Sequence, residues 1–144
     1  MKVSIPVHSS YGDAVEGEVV VLEGGFSPRY HLNRKQGTFS VPGHPIDGQK
    51  VSGKILVCDF ARGGVAAGWA LNALKSLNIA PLALVFIRAN PVMVQGSIFA
   101  NITIAEGISE ADIQMLKSAS KVAIDPKAGQ IFAEIADLDA GNRF

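Results

Sequence analysis

Two continuous apolar runs, KILVCDF (residues 54–60) and LALVFIR (82–88), flank a small-residue segment with a helical spacing. A run that is apolar at successive positions has no polar face for solvent, so each is predicted to be a strand buried on both sides. Between them, Val65, Trp69, Leu71, Leu74 and Leu77 form an approximate helical stripe. Gly68 and the neighbouring alanines allow close approach. Asn78 is placed to end the helix, and Pro81 forbids its continuation. Residues 54–88 therefore predict a strand–helix–strand unit, and such a crossover sets its two strands parallel.

The flanking segments read differently. EGEVVVLEG (16–24) has three successive valines between glycines, which predicts one strand. From Gly25 to Gly53, five glycines and three prolines erase any helical period, so a long excursion of loops and short strands is expected. Residues 89–107, punctuated by Pro91 and Gly96, predict a short helix or turn followed by the strand NITIAE. Ser109 with Asp112 three residues later resembles a capping box and opens a short helix through Ile113, Met115 and Leu116. Alternating runs on either side of Pro126-Lys127-Ala128-Gly129 predict a closing β-hairpin.

A chain of 144 residues suits one domain, taken as 1–144. Apolar residues make up 48% and charged residues 18%, the balance of a globular chain. Thirteen basic residues match thirteen acidic ones, so no broad field draws the chain to nucleic acid or to an anionic membrane. No apolar run reaches the roughly 18 residues of a membrane helix, and the first residues lack the apolar block of a signal peptide. A cytoplasmic protein is the expectation. The single cysteine, Cys58, lies inside an apolar strand and is expected to be a core residue; one thiol cannot hold an iron–sulfur cluster.

The candidate for chemistry is the hinge between the first apolar run and the helix, Ala61-Arg62-Gly63-Gly64. A helix start leaves backbone N–H groups unpaired and carries partial positive charge. Arg62 adds a forked cationic donor suited to a carboxylate or phosphate. A plain turn with a solvated arginine accounts for the same residues. The segment lacks the lysine and hydroxyl of a P-loop and does not match G-x-G-x-x-G, which argues against a nucleotide. His8 is expected in a frayed N-terminus, and His31 and His44 in the glycine- and proline-rich excursion, with no spacing that suggests a metal site. No pair of carboxylates forms a dyad, Ser97 lacks the setting of a nucleophile, and no catalytic residue is assigned. Trp69 is expected in the core or at an interface.

The order of these segments is similar to that of the small subunit, or swivel domain, of the aconitase X family. GEVVVLEGGFS, HPIDGQKVSGKILV, the glycine-rich turn, NIAPLALVFIRANPVMVQGSIFANI and KVAIDPKAGQI carry the resemblance, over residues 17–131. It implies an α+β fold with swivelling β/β/α architecture, a barrel-like mixed sheet with flanking helices. It also implies a large aconitase-like partner subunit that holds an iron–sulfur cluster, and a cleft between the two subunits. Family members dehydrate small hydroxy acids, including cis-3-hydroxyproline and phosphorylated mevalonate. The basic residue and glycine of the family's turn match Arg62 and Gly63. The family's serine positions are filled here by Gly64, Val65 and Ala66, and the usual GG-x-D stretch continues as FSPRYHLN.

The expected function is thus a hydro-lyase subunit, inactive alone, that binds a small hydroxy carboxylate through Arg62, Gly63, Gly64 and His44. The excursion with His31 and His44 would close the cleft or meet the partner. The alternative is a non-catalytic binding or regulatory module that kept the fold and lost the hydroxyl chemistry. Either way an apolar patch is expected for the partner, with Phe26, Phe39, Trp69 and Phe99 as candidates, through which the chain alone would self-associate.

Overall fold

The computed structural model describes residues 2–28, 30–62 and 65–135. In chain order the elements are β1 (Lys2–Pro6), β2 (Ser9–Tyr11), β3 (Val15–Gly17), β4 (Val19–Leu22), β5 (Leu32–Asn33), β6 (Thr38–Phe39), β7 (Ile55–Phe60) and α1 (Val65–Ser76). There follow β8 (Ala83–Arg88), α2 (Pro91–Phe99), β9 (Thr103–Glu106), α3 (Glu110–Leu116), β10 (Ala119–Asp125) and β11 (Gln130–Ile135).

The strands form two stacked sheets and a minor β5–β6 pair. One sheet has the order β1-β11-β10-β3 and is antiparallel throughout. The other has the order β2-β9-β8-β7-β4; its last four strands are parallel and β2 runs antiparallel at the edge. The side-chain alternation of β7 and β8 shows why the layers stack. Ile55, Val57, Ala83 and Val85 meet Ile124, Ile131 and α3 on one side. Leu56, Cys58, Leu84 and Phe86 meet Leu71, Leu74 and Met93 of α1 and α2 on the other. These buried strands are apolar on both faces because each face has a layer to cover it.

The β/β/α layering agrees with the expected swivel architecture. The barrel-like sheet does not: the two sheets stack face to face and no barrel closes. The predicted strand over 16–24 is in fact two strands in different sheets, β3 against β10 and β4 against β7, with the chain changing layer at Glu18. The three consecutive valines all lie in β4, and nothing in Val15-Glu16-Gly17 set a separate strand apart from them in the sequence. His8 does not lie in a frayed segment; its N–H donates to the Glu106 carbonyl at 2.8 Å between β1 and β2.

Several local expectations hold. The crossover strands β7 and β8 are parallel in register Ile55↔Ala83. Asn78, just past α1, takes φ +59°, the left-handed conformation that ends a helix. Asn90 caps α2 by accepting from Met93 N–H at 2.7 Å, with Pro91 at the first helical position. Ser109 and Asp112 form the reciprocal capping box of α3. Residues 119–135 form the closing hairpin. Cys58 is buried, and burial, with the neighbouring Asp59 charge, pushes its thiol pKa well up, as fits a core residue. Among the described residues, no helix is long and apolar enough to cross a membrane.

Candidate functional site

The parallel strands deliver their loops to one edge. There β4 feeds Gly24-Gly25-Phe26-Ser27, β7 feeds Ala61-Arg62, β8 feeds Ala89-Asn90, and β9 ends at Glu106. In open α/β sheets this carboxyl edge is where ligands bind, because the turns there can diverge and leave a crevice.

Arg62 is held at this edge by its backbone and is exposed through its side chain. Its N–H donates to the Phe26 carbonyl at 2.8 Å, and Phe26 N–H donates to the Phe60 carbonyl at 2.9 Å. Ala61 bridges Phe26 in parallel, so the β4 loop extends the sheet beside β7. Gly25, at φ +91°, lies against the Arg62 guanidinium, where any Cβ would collide with it. Arg62 makes no ion pair among the described residues. Its charge is therefore available to an anion.

Asp59 organises the same corner. Its carboxylate accepts from the N–H groups of Gly24 and Gly25, both at 2.7 Å, and from its neighbour Phe60 at 2.8 Å. Partial burial pushes its pKa up. The N–H groups of Gly24, Phe60 and Gly25 outweigh that and hold the carboxyl below its ordinary value. The glycine amides after β4 thus bind the chain's own carboxylate. Glu106 plays a similar part across the edge: one carboxylate oxygen accepts from Ala89 N–H at 2.9 Å and the other from the Ser9 hydroxyl at 3.1 Å.

Gly63 and Gly64 lie outside the described residues. His44 lies farther along the excursion, in the turn between β6 and β7, where its Nδ1 accepts from Ile46 N–H at 3.1 Å. The histidine whose imidazole feels the Arg62 charge is His31. Sequence reading placed it in the cleft-closing loop without singling it out, because the bond that folds it onto Ser27 leaves no pattern in residue types. Arg88 is another exposed guanidinium at this edge, in register with Phe60. It was overlooked as the last residue of an apolar run.

Beside the edge, α1 and α2 cross on glycine. A Cβ on Gly96 would lie 2.6 Å from Gly68 Cα, so the two backbones meet almost directly. This leaves a groove of about 400 Å³ between Trp69, Asn72, Val92, Gln95 and Phe99. Trp69 is 68% exposed and Phe99 79%, whereas Phe26 and Phe39 are buried, which sorts the four aromatic candidates. A second hollow shares Gln95 and Phe99 with the groove and reaches Asn90 and Glu106 at the carboxyl edge. Groove and edge are one continuous surface. Among the described residues, no group of three His, Cys, Asp or Glu side chains gathers as metal ligands would.

A family model described as the aconitase X swivel domain matches residues 4–133. The chain belongs to the aconitase X swivel-domain family. Its relatives in this family include the phosphomevalonate dehydratase small subunit of Methanococcoides burtonii, 29% identical over 85% of this chain and 88% of the relative. The protein of the same name from Pyrococcus abyssi is 32% identical over 81% of this chain and 88% of the relative. The fold is also similar to that in the crystal structure of Thermococcus kodakaraensis aconitase X in its holo-form. There the TM-score is 0.82 and the identity 28%, over 93% of this chain and 98% of that one. A UPF0107 protein solved by NMR shares the fold, with TM-score 0.79 at 21% identity.

Proposed function

We propose that this aconitase X swivel domain is the small subunit of a hydro-lyase that dehydrates a small hydroxy acid, in a cleft completed by a large subunit. Phosphomevalonate, for which its relatives are named, is the substrate to assay first. The observation that carries the reading is Arg62. It stands exposed, with no ion pair among the described residues, at the carboxyl edge of the parallel strands, pinned by Phe26 and backed by Gly25.

The chemistry follows from that placement. Dehydration removes a proton from one carbon and hydroxide from the next, and both developing charges lie close to the substrate's carboxylate. A guanidinium that binds a carboxylate or phosphate with charge-assisted bonds fixes the substrate's orientation. The large subunit would cover the edge and the adjoining groove at Trp69 and Phe99, excluding water. The iron–sulfur cluster expected for the family would belong to that subunit, since the buried Cys58 offers no ligand set. Metal in such a cluster can act as a Lewis acid toward a leaving oxygen.

The test is co-expression with the large aconitase-like subunit and assay of the purified complex. Arg62→Ala should raise the KM for phosphomevalonate about 10- to 100-fold, the worth of one charged hydrogen bond of about 1.5–3 kcal/mol, with assembly intact. An unchanged KM removes Arg62 from the site. The non-catalytic reading is favoured by Gly64, Val65 and Ala66, where the family has serines. A stable wild-type complex that binds the acid without turning it over would establish that reading instead.

A further inference from the structure

The turn after β4 ties one imidazole down through its Nδ1 atom. Ser27 N–H donates to His31 Nδ1 at 2.9 Å. His31 N–H and Tyr30 N–H both donate back to the Ser27 carbonyl, at 3.0 and 3.2 Å. Ser40 N–H donates to the His31 carbonyl at 2.8 Å, and the imidazole lies 6.3 Å from the Phe26 ring, centroid to centroid. A nitrogen that accepts a hydrogen bond carries no proton, so the neutral ring must carry its proton on Nε2. Nε2 has no partner among the described residues. The residue beside the turn is Arg62, whose N–H is bonded to Phe26, the residue before Ser27.

The surroundings disfavour the charged ring. Partial burial lowers the His31 pKa, and the Arg62 charge lowers it further. Protonating Nδ1 would also break the bond from Ser27. A second observation singles out the same turn. Ser27 is 2% exposed, yet its hydroxyl has no hydrogen-bond partner among the described residues. Sealed hydroxyls without partners are rare, and the other one found among the described residues is that of Ser97 in α2.

We propose that His31 is a binding residue for the anion that Arg62 attracts, donating its Nε2–H to a substrate carboxylate or phosphate oxygen. The turn centred on Ser27 presets the tautomer, so the donor needs no proton uptake before use. The pairing is one charged donor and one neutral donor, and the oxygens of a carboxylate or a phosphate suffice for both. The inference rests on the dehydratase reading only for the identity of the ligand.

Two substitutions separate the roles. His31→Asn keeps an acceptor near Nδ1 for Ser27 and removes the distal donor. His31→Gln keeps a distal N–H and removes the acceptor. In the assembled complex, His31→Asn should raise the KM for phosphomevalonate about tenfold, with kcat within twofold and Tm within about 2 °C. His31→Gln should lower Tm and leave KM near that of the wild type. A KM that follows Tm across the pair shows a structural role and overturns the proposal, as does an unchanged KM in His31→Asn. Nitrogen-15 spectra of the full chain should show the Nε2–H tautomer; an Nδ1–H ring overturns it independently of activity. Equilibrium binding of phosphomevalonate accompanies the kinetics. A complex that binds but does not turn over therefore sinks the dehydratase reading and still decides His31. A complex that binds neither phosphomevalonate nor inorganic phosphate overturns both.

Discussion

The two faces of the five-stranded sheet end differently. One is closed by the chain itself: β10 and β11 bring Val122, Ile124, Ile131 and Ala133 onto Ile55, Val57 and Val85, and all of these are buried. The other is closed by the helices α1 and α2. Leu71 and Leu74 cover Leu56 and Phe86, but on the outer side of the helix pair Trp69, Ile98 and Phe99 stand in solvent. The carboxyl edge beside them carries Arg62, Arg88 and His31. A face covered by its own chain is there for stability. A face whose aromatics stay open next to a charged corner is the one proposed to receive the large subunit.

The sharpest way to break this contrast is inside the shared layer. Phe86→Ala should cost about 3–5 kcal/mol, since it empties the space between β8 and the helices. Denaturant melts of the chain alone would show it, and a loss below about 1 kcal/mol would mean that this layer is already loose. Trp69→Glu should do the opposite. Stability of the isolated chain should stay within about 0.5 kcal/mol, while affinity for the large subunit should fall by about 2 kcal/mol or more, as at an aromatic anchor. Titration of the partner by calorimetry checks it. If Trp69→Glu instead abolishes self-association and leaves the heterocomplex untouched, the open face belongs to a second copy of this chain.

Gly96→Ala sharpens the comparison at the floor of the groove. The added methyl meets Gly68 backbone, so the helices must separate, at about 1–3 kcal/mol. A Tm that does not move would show that the groove widens freely. The smallest effect is electrostatic. The His31 pKa lies below its ordinary 6.5, so the folded state prefers the neutral ring. That contribution is fully present above pH 6.5 and is lost as the pH falls through the lowered value. The wild-type Tm should therefore decline more steeply than that of His31→Asn on acidification below pH 6.5. Asp59, also lowered, is expected to act in a separate window, with stability lost only as the pH falls below its ordinary 3.8.

Much of the architecture was legible because it rests on local chemistry. Continuous apolar runs announced β7 and β8, Asn78 and Pro81 ended α1, Ser109 and Asp112 opened α3, and the Pro126–Gly129 turn closed the hairpin. The stripe assigned to α1 was right at Leu71 and Leu74 and misleading at Trp69 and Leu77, which are exposed. Periodicity counts apolar residues without knowing which of them a neighbouring layer will cover. Of the candidate site, the sequence pointed to Arg62 beside glycine. That His31 adjoins it, that Asp59 occupies the Gly24 and Gly25 amides, and that Arg88 shares the edge depend on loops brought together from distant parts of the chain.

By itself the sequence determined the strand–helix–strand unit, the helix caps and the closing hairpin, because each depends on residues a few positions apart. The tertiary structure alone decided the split of the 16–24 run between two sheets and the placing of the His31 turn beside Arg62. It also decided which aromatics face outward. Those outcomes depend on which layers meet, and burial is a property of the neighbour as much as of the residue.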